Sequence, residues 1–494
     1  MNYIDKFKYI YENYYIASIE EEYLVDNVLI ASGTNFFNDI FSNETYTIDK
    51  KGNTFHNKEV VNYLNTKNKD NHINFRHALN TNKKVILQCG LHLLYDFPTP
   101  LQTTKEFFFD KLFSSYERVV EKMRKKELVL FIYQGWEAEN LEDNLKAKTQ
   151  YSTEKYRDYY DMFESILKEY NLPKSSMVFL SSNLYGNDIK TKYNFNVIYD
   201  NSLELATFLR LLPENIDMSL IDIDYSFDEY LENVKTNNSI VCRLNRTKHP
   251  QRDLMLYYLH RLELQDKSII DHKFFNEDNI LRDGDFFDKT IVYCNENKKL
   301  SHLKKYFDVR HTEKKYWETT YLERDKKILS KIQSDLPYVA SPYERKEHTI
   351  HSNLPIPYDV YKKSIFSWVS TSLPDKEDMM FLNQSTFNPI LFYHPVLWYG
   401  YRNTTKYFKD YGFKSYDWLF ESENIIDTSD CKYERFVYNI YEIDRISNMS
   451  RDELYNKIKD NKDTLIHNRN LLIDCLSIER IMTKFYEMIN ETEI

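Results

Sequence analysis

The most chemically loaded stretch of the chain is Arg243-Leu244-Asn245-Arg246-Thr247-Lys248-His249-Pro250-Gln251-Arg252. It follows the apolar run Ile240-Val241-Cys242 and precedes Leu254-Met255-Leu256-Tyr257-Tyr258-Leu259, which has helical spacing. An open α/β sheet holds anions where a strand feeds a helix, because carboxyl strand ends and helix N-termini face one crevice. Arg246, Lys248 and Arg252, with Asn245 and His249 beside them, are therefore candidate ligands for a phosphate group. Pro250 suits a first helical turn. A solvated basic turn with Arg252 paired to a nearby carboxylate fits the same residues.

Candidate proton acceptors lie further toward the N-terminus. Leu130-Phe131-Ile132-Tyr133-Gln134 is a strand running into Gly135-Trp136-Glu137-Ala138-Glu139. Gly135 permits a tight turn, and Glu137 beside Trp136 is the candidate general base, since apolar surroundings raise a carboxylate's pKa. A plain exposed loop glutamate is the alternative. His92 and Asp96, and the loop Ser182-Asn183-Leu184-Tyr185-Gly186-Asn187, follow other strands in similar places. A histidine at a strand end is more often structural or on the surface, and the loop 182–187 suits a ligand's hydroxyls and a plain turn equally.

Short apolar runs alternate with helix-spaced segments from residue 83 to residue 411, the pattern of β-α-β units and parallel sheets. Strands are expected at Lys84 to Cys89, Leu128 to Gln134, Met177 to Ser181, Asn196 to Tyr199, Ser239 to Leu244, Thr290 to Cys294, Ile365 to Ser370 and Val396 to Tyr399. Helices are expected at about 104–125, 153–170, 250–263 and 403–411. The polar stretch Glu229 to Asn238 is the expected domain boundary. It divides an N-terminal domain (81–235) from a C-terminal one (236–445), after an irregular elaboration (1–80) and before C-terminal helices (446–494). Among those helices, Ser450 is an N-cap with Glu453 as its partner, and the last, about 464–490, is long and amphipathic.

With 494 residues and 42% hydrophobic content the chain has material for two large domains. A net charge of −10 disfavours nucleic acid as a partner. Five dispersed cysteines with no C-x-x-C pair indicate reduced thiols. No signal core and no apolar run of membrane-spanning length occurs, so a cytoplasmic protein without a membrane span is expected. Eight glycines leave no G-x-G-x-x-G or G-x-x-x-x-G-K-[ST] phosphate cradle, which excludes Rossmann dehydrogenases and P-loop ATPases.

Four segments occur in a telling order: Ile365-Phe366-Ser367-Trp368-Val369-Ser370-Thr371-Ser372; Phe381-Leu382-Asn383-Gln384-Ser385-Thr386-Phe387-Asn388-Pro389-Ile390; His394-Pro395-Val396; and Gly412-Phe413-Lys414-Ser415-Tyr416. The succession, together with the basic turn at 243–252, resembles the donor half of phage and viral glycosyltransferase-like proteins of GT-B architecture. It is distantly similar to the metal-independent fucosyltransferases over residues 236–445. That family has a strand ending V-x-E-[TS], a helix opening F-L-T-E-K-T-F-K-P-I, a strand after H-P-F, and a G-F-K-T-F turn. The resemblance implies two Rossmann-like domains, and a nucleotide-sugar as co-substrate with no metal or other cofactor. It also implies an acceptor, whether glycan, protein or other, on the N-terminal side. Carried over, the donor-binding positions are Thr371, Gln384, Ser385 and Asn388, each neutral where the family places charge. They can hydrogen-bond sugar or ribose hydroxyls but supply no countercharge. Arg246, Lys248 and Arg252 must then neutralise the diphosphate, or the site serves a non-catalytic binding or assembly protein. Asp222-Ile223-Asp224 and Asp283-Gly284-Asp285 imitate the D-x-D metal site of GT-A glycosyltransferases, and chance explains such triplets in an Asp-rich chain.

Overall fold

Three apolar runs, residues 85–89, 128–132 and 177–180, are buried on both faces and form the middle of a seven-stranded sheet. In the computed structural model the described residues are 3–18, 23–25, 28–32, 73, 75–91, 105–134, 159–181, 195–199, 225–237, 239–243, 250–272, 275–277, 284–308, 323–338, 361–370, 382, 384–475, 483, 485–487 and 489. The chain divides into two compact units. One comprises Met1–Glu214, Asp378–Phe381 and Asp474–Ile494, the other Asn215–Glu377 and Leu382–Ile473.

The first unit begins with α1 (Tyr3–Asn13), β1 (Tyr14–Ser18), β2 (Tyr23–Val25) and β3 (Val28–Ser32). Then come α2 (Phe75–Asn80), β4 (Lys84–Leu91), α3 (Lys111–Ser115), α4 (Glu117–Arg124), β5 (Leu128–Gln134), α5 (Tyr159–Glu169), β6 (Met177–Ser181) and β7 (Asn196–Tyr199). Strands β1, β4, β5, β6 and β7 pair in that order, all parallel, and β2 and β3 add an antiparallel pair at the far end of β4. The first 80 residues, expected to be irregular, thus supply two helices and three strands of this sheet.

Each parallel strand lies beside its predecessor. Right-handed crossovers that all step the same way put their helices on one face, and the packing follows. Val85, Leu87, Leu128, Leu130, Ile132, Met177 and Phe179 form one core with Phe75, Leu112, Val119, Met123 and Phe163 of the helices. Ile86, Val129, Phe131, Val178 and Leu180, which alternate with them, are buried on the opposite face. Phe485 closes part of that face, its ring 4.9 Å from Phe131. Lys6 of α1 pairs with Glu487 at 3.2 Å.

The second unit contains α6 (Phe227–Thr236), β8 (Ile240–Arg243), α7 (Pro250–Arg261), β9 (Ser268–Asp271), α8 (Gly284–Glu296), α9 (Glu323–Asp335), β10 (Phe366–Ser370) and β11 (Val396–Tyr399). Five helices follow: α10 (Thr404–Asp410), α11 (Glu423–Thr428), α12 (Lys432–Ser447), α13 (Arg451–Asp460) and α14 (Lys462–Cys475). Its four strands are parallel in the order β11-β10-β8-β9. Strand β8 therefore lies between the strand that follows it and the one after that: the crossover from β8 steps to one side, and those to β10 and β11 step to the other.

Several expected elements differ. Thr290 to Cys294 is not a strand but part of α8: Thr290 and Cys294 are buried while Val292 between them is 50% exposed, a helical period that alternation would have reversed. Glu229 to Asn238 is mostly α6, opened by a capping box in which Glu229 N donates to Ser226 Oγ (3.2 Å) and Ser226 N donates to Glu229 Oε2 (2.6 Å). The helix expected over 104–125 is a π-helical turn (Lys105–Asp110) followed by α3 and α4, which Tyr116 separates with its extended φ of −135°. Ser450 does cap α13, accepting from Glu453 N at 3.2 Å. The expected helix of 464–490 begins as α14, and residues from Asp474 onward belong to the first unit.

Phe485→Ala should destabilise the first unit by about 3 kcal/mol through the cavity left against Phe131. Hydrogen-exchange mass spectrometry should then show lost protection in β4 to β6 and none lost in β8 or β10. Unchanged protection in β5 would show that Phe485 does not close this face.

Candidate functional site

Where the connections from two neighbouring parallel strands go to opposite sides of the sheet, a crevice opens outside their carboxyl ends. The first unit shows no such reversal among its described strands. The second has it between β8 and β10, whose register pairs Trp368 with Cys242. The chain leaves β8 at Arg243 and β10 at Ser370. Residues 244–249 and 371–381 continue directly from those ends, so the two segments that the sequence marks for donor binding issue from the two strands at the reversal.

Helix α7 starts at Pro250 and is held rigidly. Arg261, in its last turn, ion-pairs with Asp325 of α9 and donates to the carbonyls of Lys305 (2.8 Å) and Tyr306 (3.2 Å). The Tyr257 hydroxyl donates to the same Asp325 Oδ1 at 2.7 Å. His260 lies 2.8 Å from the Tyr338 hydroxyl, and burial pushes its imidazole down to about 4, so it is neutral there. The first turn carries Arg252 and Asp253, 4% and 0% exposed. Asp253 accepts from His272 Nε2 at 2.8 Å and from Asn276 N at 3.4 Å. His272 stands one residue past the final β8–β9 rung, Arg243 opposite Asp271. Its main-chain N and O both bond Tyr338, at 2.9 Å each. The pair thus ties the carboxyl end of β9 to the first turn of α7. A lone histidine after a four-residue edge strand gave no signal in the sequence, and its partner is 19 residues away.

Of the expected site residues, Glu137, Asn245, Arg246, Lys248 and Thr371 lie outside the described residues, as do His92, Asp96, the loop 182–187, Asp222, Asp224 and Asp283. Gln384 and Ser385 open the four-residue helix Gln384–Phe387. Asn388, expected to meet a ligand hydroxyl, is fully buried at the start of the 3-10 turn Asn388–Phe392, with Pro389 in the turn's opening positions. Thr386 is likewise buried, within that helix rather than capping it.

Two further segments of the donor resemblance are tied into the fold. His394 precedes β11 and is fully buried, accepting from the Ser367 hydroxyl at Nδ1 (3.1 Å) and donating from Nε2 to the Tyr361 carbonyl (2.8 Å). Burial pushes its imidazole down to about 3. Gly412 has φ +93° and ends α10, Phe413 stacks on Phe408 at 4.4 Å, and Lys414 exchanges two hydrogen bonds with Asn468.

A second buried titratable cluster lies beyond β11. Glu423 and Asp427, on α11, are 4% and 8% exposed. Asp427 accepts from Thr405 N (2.6 Å) and Lys406 N (3.2 Å), capping α10. Glu423 Oε1 has only long bonds, to the Thr405 hydroxyl (3.3 Å) and Tyr416 N (3.4 Å), and Oε2 has no hydrogen-bond partner among the described residues. Trp398, Tyr401, Phe420 and Ile426 enclose it around space for about one water molecule. Burial pushes the Glu423 carboxyl up to about 8, and raises that of Asp427. Among the described residues no group of three or more His, Cys, Asp or Glu side chains is placed to hold a metal, and no helix is long and apolar enough to cross a membrane. Comparison with protein-family models, with characterised proteins and with solved structures gives no match.

Glu423 binds its proton more tightly in the folded chain than at its ordinary value of 4.5. Its contribution to stability is therefore fully present below about pH 4.5 and is lost as pH rises toward about 8. Glu423→Gln, which copies the protonated carboxyl, should leave stability unchanged near pH 4.5 and raise it by a few kcal/mol near pH 8. Thermal unfolding across that range would show a gap that widens with pH. A constant gap would mean that Glu423 is ionised in the fold.

Proposed function

We propose that the chain is a metal-independent glycosyltransferase of GT-B type, composed of two Rossmann-like domains. It binds a nucleotide-sugar at the carboxyl edge of the second sheet and transfers the sugar to an acceptor held by the first unit. One observation carries this: the strand order reverses between β8 and β10, the two strands from which the residues resembling a donor site issue. The return of residues 474–494 to the first unit fits as well, since GT-B enzymes often bring their C-terminal helix back across both domains. Arg246, Lys248 and Arg252 neutralise the diphosphate, whose charge grows as the bond to the sugar breaks, and the N-terminal amides of α7 add their partial positive charge. Asn245, Thr371, Gln384 and Ser385 orient hydroxyls, and Glu137 takes the acceptor proton. The setting is the cytoplasm, of the host if the chain is encoded by a phage or virus.

Burial of Asn388 and the neutral character of Thr371, Gln384 and Ser385 favour a second reading, a GT-B-like binding or assembly protein whose donor site has lost its chemistry. Both readings are open to titration calorimetry. With GDP and UDP, the chain should bind at least one nucleotide, and Arg246→Ala or Lys248→Ala should each weaken it about tenfold or more, as expected for a charged hydrogen bond. Absence of nucleotide binding would sink the donor site. Binding without release of sugar from GDP- or UDP-sugars would favour the non-catalytic protein.

A further inference from the structure

Strand β8, the segment 244–249, helix α7 and strand β9 make one β-α-β unit, with β9 paired in parallel beside β8. In nucleotide-binding units of this kind the phosphates meet the helix N-terminus, and a side chain at the carboxyl end of the second strand reads a ribose hydroxyl. His272 occupies that second position. It is 0% exposed, as is Asp253, so neither faces bulk water.

The hydrogen bonding of His272 is half complete. The Nε2–H that meets Asp253 Oδ1 across their 2.8 Å contact occupies one ring nitrogen, and in that tautomer the other, Nδ1, offers a lone pair. Nδ1 is buried and has no hydrogen-bond partner among the described residues. His394 makes the contrast, since both of its ring nitrogens are bonded. The backbone of His272 is pinned on both sides to Tyr338, and its ring is fixed by Asp253, so the open nitrogen is held in a defined direction. A buried acceptor left without a donor is costly, and a ligand hydroxyl is the group that would complete it.

The geometry points to His272 Nδ1 as the acceptor for a ribose hydroxyl of a nucleoside diphosphate bound at the start of α7, with Asp253 as the positioning residue that fixes the tautomer. This rests on the donor site proposed above and assigns it a recognition contact that the basic segment does not provide.

Calorimetric titrations of UDP and GDP against their 2′-deoxy and 3′-deoxy counterparts test it. The unmodified chain should bind a ribonucleotide about tenfold more tightly than the form lacking the contacted hydroxyl. His272→Gln keeps an amide N–H for Asp253 but removes the acceptor at Nδ1, and should bind ribo and deoxy forms alike. Asp253→Asn should do the same, because its amide donates to Nε2 and moves the ring proton onto Nδ1; it also serves if His272→Gln does not fold. A His272 that only supports the fold would weaken every nucleotide equally and leave the preference for ribose intact, which overturns the contact. Equal affinity of the unmodified chain for ribo and deoxy forms overturns it too, while leaving the donor site standing. No binding of any nucleotide refutes both.

Discussion

The second unit depends on the position of one short strand. β8 has four residues, yet it is hydrogen-bonded on both edges, to β9 and to β10. The crossover from β8 to β9 steps one way and the crossover from β10 to β11 the other, so, both being right-handed, they run on opposite faces of the sheet. The chain therefore leaves the neighbouring carboxyl ends of β8 and β10 toward opposite faces. An opening next to a helix N-terminus is thus a consequence of pairing order, independent of which side chains line it.

That opening is useful only if its walls are stiff. Helix α7 is buried along most of its length and anchored at its far end by the Arg261, Asp325 and Tyr257 cluster. A buried ion pair of this sort adds little net stability, because desolvation offsets the attraction, but losing one partner would strand the other charge. It therefore fixes where the helix sits more than it strengthens the fold. Strand β10 is held comparably, with the Trp368 indole donating to Asn439 of α12 at 3.0 Å.

The parallel strands were legible in the sequence because burial on both faces leaves continuous apolar runs: Leu128 to Gln134, Met177 to Ser181 and Val396 to Tyr399 match residue for residue. Where those cues conflict, pattern misleads. The β-branched run at Thr290 has the composition of a strand, but tertiary packing of Thr290 and Cys294 on one side makes it a helix. Edge strand β9 was missed because only Ile269 and Ile270 in it are apolar. For the site, charge density revealed the segment at 243–252, since local charge needs no fold to be seen. The Asp253–His272 pair was invisible because it exists only once β9 lies against β8. Conversely, His394 and Gly412 to Tyr416 drew attention as parts of a donor pattern, and the structure gives each of them a packing reason to be there.

The first unit is assembled from two stretches of chain with the whole second unit between them. Phe131 lies on a sheet face that Phe485 helps to close, so during synthesis that face waits, uncovered, while some hundreds of intervening residues emerge and collapse. Folding here is ordered by the ribosome in a way the finished molecule conceals. All the strands of the second unit are synthesised before residues 474–494 of the first. A chain released too soon would carry an apolar face on the first sheet left uncovered, a species for chaperones to hold.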